Sequence, residues 1–158
     1  MSVLFARIDD RLIHGQTVEG WIPFLNAKEV LIVSDVTAKD ENRIDLMKLS
    51  LPEHIKLKVK NMQQAVKYLK GLKSSETILL ITPSPCEILS LISNGIKLGS
   101  VNVGGMHYSI GKVQIGRAIF IDDTDMECLR KIASKGVKLE GRGVPTDKQV
   151  DILARLSQ

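Results

Sequence analysis

The sequence predicts an α/β protein: an open, doubly wound, mainly parallel sheet of about six to seven strands, flanked by helices on both faces. Three observations carry this prediction. Short apolar runs alternate with helix-periodic segments along the whole chain. Some of those runs, such as Val30-Leu31-Ile32-Val33, are apolar without alternation, as strands buried on both faces are. Helix-length stretches separate most of them, as right-handed parallel crossovers require.

Residues 3–8 read as the first strand. Residues 16–25 read as a helix with Val18, Trp21, Ile22 and Leu25 on one face, ended or kinked by Pro23. The second strand covers 30–33. Ser34 or Asp35 is placed to cap the next segment, 37–51, which carries Ile44, Met47 and Leu51 on one side. Residues 55–59 alternate apolar residues with Lys, the pattern of a half-exposed edge strand. Asn61 suits the N-cap of a helix over 62–70 that Gly71 terminates. A buried strand over 77–81 leads through the turn Thr82-Pro83-Ser84-Pro85 into a helix that runs through Ile92 and stops at Asn94-Gly95. Residues 100–103 form a fifth strand, broken by Gly104-Gly105. The pieces over 112–115 and 118–121 lie too close together for a parallel crossover, so an antiparallel part, an edge strand included, is expected there. Asp122 or Asp123 caps a helix over 124–134 closed by Gly136. Residues 137–140 are a last strand, and 146–156 a C-terminal helix.

The 158 residues fit one domain over 1–158. A chain of this size buries roughly two-thirds of its unfolded surface, so it needs neither disulfides nor a metal to fold. Aromatic residues are only 4%, and no block of like charges appears. Both argue against a protein that stacks nucleobases or grips nucleic acid. The net charge of +4 comes from scattered lysines. It reads either as a solvated surface or as attraction to an acidic protein or an anionic ligand. Cys86 and Cys128 belong to no Cys-x-x-Cys pair, and a reduced, cytosolic pair is expected rather than a disulfide. The N-terminus lacks the pattern of a secretory signal, and no run approaches the roughly 18 apolar residues of a membrane span. The expected location is the cytoplasm.

In such a sheet, ligands bind beyond the carboxyl ends of the strands. The loops there are 9–15, 34–35, 82–85 and 104–107, and the first is the most informative stretch of the chain: Ala6-Arg7-Ile8-Asp9-Asp10-Arg11-Leu12-Ile13-His14-Gly15-Gln16. His14 offers a neutral nitrogen nucleophile, at what reads as a helix N-terminus whose field favours that form. Arg7 and Arg11 offer bidentate donors for phosphate oxygens. The bland alternative is local salt bridges with Asp9 and Asp10, which contribute little at a surface. Asp9 and Asp10 are adjacent, so they point in opposite directions at a strand end. One orients His14 and the other anchors the loop. Gly15 and Gln16 at the helix start, the Thr82 and Ser84 hydroxyls, and the Gly104 and Gly105 amides are further candidates for holding a phosphoryl group. For Thr82 and Ser84 the competing reading is turn chemistry beside two prolines; for the glycines it is plain strand termination. His54 reads as solvated, and His107 lies nearer the business edge of the sheet. No ligand spacing for zinc and no nucleotide-binding glycine loop occurs, so neither a metal nor a cofactor is expected.

Arg7-Ile-Asp-Asp-Arg-Leu-Ile-His-Gly-Gln16 resembles the active-site motif of the B component of the mannose/fructose/sorbose family of bacterial sugar phosphotransferase systems. Val30 to Asp35, Thr82 to Pro85 and Ser100-Val-Asn-Val-Gly-Gly-Met-His107 fall where that family has similar segments. The turn Thr-Pro-Ser-Pro-Cys departs from the family's usual Asn-Pro-Thr/Ser-Asp-like turn, so the resemblance does not support roles for Thr82 and Ser84. The resemblance implies an open α/β sheet and the activity of a protein-histidine phosphotransferase. His14 would accept a phosphoryl group, on Nδ1, from the phosphohistidine of an A component. Arg7 and Arg11 would stabilise it beside Asp9 and Asp10. The membrane C and D components would then let a sugar, met only in the complex, receive it during uptake. It further implies a peripheral position at the inner face of the membrane, an A component on a separate chain or detached domain, and a homodimer as in other carriers of this system. The contrasting hypothesis is a non-catalytic α/β module that binds a phosphorylated small molecule.

Overall fold

The computed structural model describes residues 3–157. Seven strands form one sheet: β1 (Val3–Asp9), β2 (Glu29–Val33), β3 (Lys56–Lys60), β4 (Thr77–Thr82), β5 (Ser100–Gly105), β8 (Lys138–Gly141) and β9 (Val150–Asp151), in the order β3-β2-β4-β1-β5-β8-β9. Every pairing is parallel except that of β9, which runs antiparallel to β8 at the edge. The chain thus leaves β1 toward one side of the sheet and leaves β5 toward the other, which puts the switch point at the adjoining ends of these two strands. Strands β6 (Val113–Gly116) and β7 (Ile119–Ile121) make a separate antiparallel hairpin.

Helices cover both faces. The π-helical turn Gln16–Trp21 and α1 (Ile22–Leu25), with α2 (Glu41–Ser50), pack Trp21, Ile22, Met47 and Leu51 on Val30, Ile32, Leu79 and Ile81. On the other face α3 (Met62–Lys70), α4 (Pro85–Ser93), α5 (Asp123–Ser134) and α6 (Ile152–Leu156) press Leu69, Ile88, Leu91, Leu129 and Ile132 on Ile8, Leu31, Leu80, Val101 and Val103. The period-2 alternation of β1 sends Ala6 and Ile8 into that second layer. Phe5, Arg7 and Asp9 therefore face Trp21, the side where the candidate site lies; Phe5 stacks on the indole with centroids 4.9 Å apart.

Local chemistry explains most boundaries. Asn61 caps α3 in a reciprocal box with Gln64, and Asp122 caps α5 in the same way with Asp125. Ser84 caps α4, whose first residue is Pro85.

Four expectations need correction. Residues 16–25 are a π-helical turn running into a short α-helix, not one helix. Asp40, not Ser34 or Asp35, caps α2; Ser34 Oγ accepts the Thr37 amide of a preceding 3₁₀ turn, and Asp35 reaches across to the Met62 amide at the start of α3. Gly104 and Gly105 do not break the fifth strand. They continue it through a bulge, because β1 register moves from Ile8↔Val103 to Asp9↔Gly105. The C-terminal helix covers only Ile152–Leu156. Val150 and Asp151 pair with Gly141 and Glu140 instead, and Asp151 then caps the helix through the Ala154 amide.

Replacing the capping side chain, Asn61→Ala, is expected to lower stability by about 1 kcal/mol. Urea unfolding will read this as a shifted midpoint with an unchanged slope.

Candidate active site

Three side chains stand abreast on the Trp21 face of neighbouring strands: Arg7 of β1 opposite Asn102 of β5, and Asn102 opposite Glu140 of β8. Each belongs to the polar half of its strand's alternation, and all three are buried. Arg7 is fully buried. Its Nη1 donates to Asn102 Oδ1 at 2.6 Å and to the Arg142 carbonyl at 3.0 Å. Its Nη2 donates to Asp9 Oδ2 at 2.9 Å and to Gln16 Oε1 at 3.2 Å. Asn102 Nδ2 donates to Glu140 Oε1, and Arg142 closes the row with two further bonds to Glu140. The guanidinium carbons of Arg7 and Arg142 each lie 5.1 Å from the centre of the Trp21 ring. The indole N–H donates to the Gly143 carbonyl at 2.8 Å.

Asp9, buried like Arg7, is the hub. Its Oδ2 meets both Arg7 Nη2 and, at 2.7 Å, His14 Nε2; its Oδ1 accepts the Arg11 main-chain amide at 3.0 Å. Burial is the largest influence on the Asp9 carboxyl and pushes it up. The bond from His14, the charge of Arg7 and the Arg11 amide together outweigh it, holding the carboxyl below its ordinary 3.8. Burial likewise lowers the Arg7 guanidinium from its usual range, against the pull of Asp9. His14 keeps 16% of its side chain exposed, so the imidazole is held from behind and open in front. The loop that delivers it turns at Leu12, whose amide donates to the Asp9 carbonyl. Leu12 takes a left-handed φ of 59° while its side chain is buried in the Trp21 layer. A leucine in that conformation is strained, so the packing over-determines the turn.

The adjacent carboxylates do diverge. Asp10 turns the other way, to the His107 amide at 2.7 Å and to His107 Nδ1 at 2.5 Å, and so ties the end of β5 to the loop. Arg11 is exposed. Gly15 is exposed, and the Thr17 and Val18 amides turn back to the His14 carbonyl. Thr82 and Ser84 do not join this cluster: Thr82 Oγ1 donates to the Ser84 carbonyl, and Ser84 Oγ is shared between Glu87 and the Cys86 amide. His54 is exposed in the 51–55 connection.

Gly104 and Gly105 have a spatial reason. A Cβ on Gly104 would lie 2.0 Å from the Arg7 guanidinium carbon, and one on Gly105 would lie 3.2 Å from Asp9 Oδ1. The bulge and the two missing side chains make the slot in which Arg7 and Asp9 sit. Asn102, Glu140 and Arg142 were beyond sequence reasoning. The signal was present only as polar residues at the inward positions of otherwise apolar strands, and it needs the strand order to be read. Beside this row a groove of about 1020 Å³ runs from Gln16, Gly104 and Arg142 to the β6–β7 hairpin. Among the described residues no cluster of His, Cys, Asp or Glu is placed to hold a metal ion.

Comparison with known proteins adds four findings. Residues 3–158 match the family model described as PTS system sorbose subfamily IIB component. The chain is 36% identical, over 100% of its own length and 97% of the relative's, to the PTS system sorbose-specific EIIB component of Lacticaseibacillus casei. It is 33% identical to the mannose-specific EIIAB component of Escherichia coli K12, of which it covers 50%. The crystal structure of the IIBSor domain of the sorbose permease from Klebsiella pneumoniae superposes with a TM-score of 0.91 at 32% identity, covering 99% of this chain and 97% of that one.

Two outcomes follow from the geometry. Gly104→Ala should displace Arg7 from its partners and cost about 3–5 kcal/mol, the usual cost of breaking a buried charge pair, measured by urea unfolding. Asp9 is a carboxylate with a lowered native value, so its ionisation contributes stability in full above 3.8. That contribution drains away as pH falls from there through the native value. The stability gap between the native sequence and Asp9→Asn should therefore narrow on acidification below that point, as followed by unfolding midpoints across pH.

Proposed function

Because the chain belongs to the sorbose subfamily of phosphotransferase-system IIB components, we propose that its part in sugar uptake is to carry a phosphoryl group on Nδ1 of His14. The donor is the phosphohistidine of an A component. The destination is a sugar presented by the membrane C and D components. The observation that carries this reading is the 2.7 Å contact between Asp9 Oδ2 and His14 Nε2. A carboxylate held ionised by the bond from His14 and the charge of Arg7 accepts only from a protonated nitrogen, so in the neutral ring this contact favours the proton on Nε2 and the lone pair on Nδ1.

The transfer needs little else. Nδ1 attacks the phosphorus in line as the bond from phosphorus to the donor imidazole breaks, and the donor nitrogen keeps that electron pair. The attacking ring gains positive charge, which the Asp9 carboxylate offsets across the Nε2–H bond. Arg11 is the cation with freedom to reach the equatorial oxygens, where negative charge is spread in the transition state. The Gly15 and Gln16 amides, which follow His14 directly, are further candidates to supplement it. Arg7 acts one step behind, as a positioning residue: it is buried and its terminal nitrogens are already engaged. Phosphohistidine is already an activated donor, so the step calls for neither nucleotide nor metal.

Two features favour a protein as the donor. Exposed Tyr108 and Ile110 lie just after His107, giving the site an apolar flank that a small metabolite does not require. The E. coli relative joins A and B in its name, EIIAB, as two parts of one chain. No helix among the described residues is long and apolar enough to cross a membrane. The names of the relatives range from sorbose-specific to mannose-specific.

Incubation with a phosphorylated A component should label the chain with acid-labile, base-stable phosphate on His14, and His14→Ala should take up none. Full labelling of that variant would overturn the reading. A module that only binds a phosphorylated compound would show no covalent mass gain. Arg11→Ala should slow transfer by about 10²–10³-fold in rapid-quench kinetics, the loss typical of one transition-state donor.

A further inference from the structure

Cys86 and Cys128 take no part in the site above, yet the fold brings their sulfurs to 2.7 Å across 42 positions of sequence. We propose that they form a reversible thiol–disulfide couple, closed by a peroxide and reopened by a thiol. The sequence leads to the expectation of a reduced pair with no Cys-x-x-Cys spacing; the packing of α4 against α5 brings the two together. Both are free thiols in the structure.

The sulfurs are already close to bonding distance. A disulfide bond is about 2.05 Å long, so closure asks each sulfur to move by a fraction of an ångström. The carriers are fixed: Cys86 lies in the first turn of α4 and Cys128 in the second turn of α5, with Ile88, Leu91, Leu129 and Ile132 of the same two helices buried in one layer. The two thiols are also unlike. Cys86 is partly exposed, whereas Cys128 is buried at 8%. Burial, together with the neighbouring Cys86, pushes the Cys128 thiol up to about 12, so it stays protonated and unreactive on its own.

That asymmetry sets the order of events. The Cys86 thiolate attacks one peroxide oxygen, the O–O bond breaks, and a sulfenic acid and one molecule of water result. Cys128 sulfur then attacks Cys86 sulfur, the S–O bond breaks, and the hydroxyl leaves with the Cys128 proton as a second water. One peroxide is reduced by two electrons, and two thiols are oxidised to one disulfide. Two thiols of a reductant reverse the step by exchange. The bond would fasten to α5 the turn that leaves β4, since Ser84 Oγ holds the Cys86 amide and Thr82 pairs with Ile8, one residue before Asp9.

The whole chain, treated with hydrogen peroxide, denatured and alkylated, should lose the mass of two hydrogens, carry no alkyl group on either cysteine, run as a monomer without reductant, and regain two alkylatable thiols after dithiothreitol. Urea unfolding of the oxidised form should show a higher midpoint. In Cys128→Ser the same treatment should leave a sulfenic acid at Cys86, trapped by dimedone, with no loss of hydrogens. Three results would each overturn the proposal. The first is both thiols still alkylatable at peroxide levels that oxidise free cysteine. The second is over-oxidation of Cys86 with Cys128 still free. The third is linkage only between chains. Labelling of His14 reads the phosphoryl-carrier reading separately, so the two can fail independently.

Discussion

The site depends on one buried guanidinium. A charge with no exposed surface must recover its lost hydration from the protein. Arg7 does so with an aspartate, two side-chain amides and a main-chain carbonyl, supplied by β1, β5, the π-helical turn that follows His14 and the residue just after β8. Each supplier is then constrained in turn. Asn102 must present its oxygen to Arg7, so its nitrogen faces Glu140, and Glu140 balances Arg142. Strand β5 must bulge and carry no side chain at 104, because the slot is filled. Among the described residues, Nε of Arg7 is the buried side-chain polar atom with no hydrogen-bond partner, a residual cost at the centre of an otherwise satisfied network.

This arrangement separates the work of two arginines that look equivalent in sequence. Arg7 is buried; together with the bond from His14 it keeps Asp9 ionised and in place. Arg11 is outside, its backbone pinned by Asp9 but its side chain free. A carrier that must accept and then release a phosphoryl group benefits from that division. On the reading proposed above, the engaged inner cation would help fix the imidazole tautomer without binding the phosphoryl group itself. On the same reading, the exposed outer cation would meet the charge when it arrives and yield it to the next acceptor. The same logic divides the carboxylates. Asp9 acts on His14, and Asp10 on His107, because a strand directs neighbours to opposite sides.

What could be read from the sequence was local. Continuous apolar runs located β2 and β4, and Asn61 and Asp122 located the starts of α3 and α5, because caps and periodicity are short-range properties. The loop holding Asp9, Arg11 and His14 was legible for the same reason: its chemistry lies within a few residues. The misreadings share the opposite cause. Gly104 and Gly105 look like a strand end until Arg7, almost a hundred residues earlier, is laid against them. Val150 and Asp151 look helical until Gly141 and Glu140 offer an edge to pair with. The role of Asn102 and Glu140 exists only once β1, β5 and β8 are neighbours. Long-range register, not residue type, held the missing information.

The cysteine pair shows the same dependence on register from the other side of the sheet. Cys86 lies just beyond the strand that flanks β1 on one side, and Cys128 lies on the helix that precedes β8, beyond β5 on the other side. The sequence separates them, and the crossover from β4 to β5 reunites their helices on one layer, across the sheet from Trp21. A bond there would not touch His14 or Asp9 directly. It would stiffen the layer against which Ala6 and Ile8 pack, the residues that alternate with Arg7 along β1. Any influence on the phosphoryl site would therefore pass through the position of β1, whose other face the buried guanidinium already holds in register.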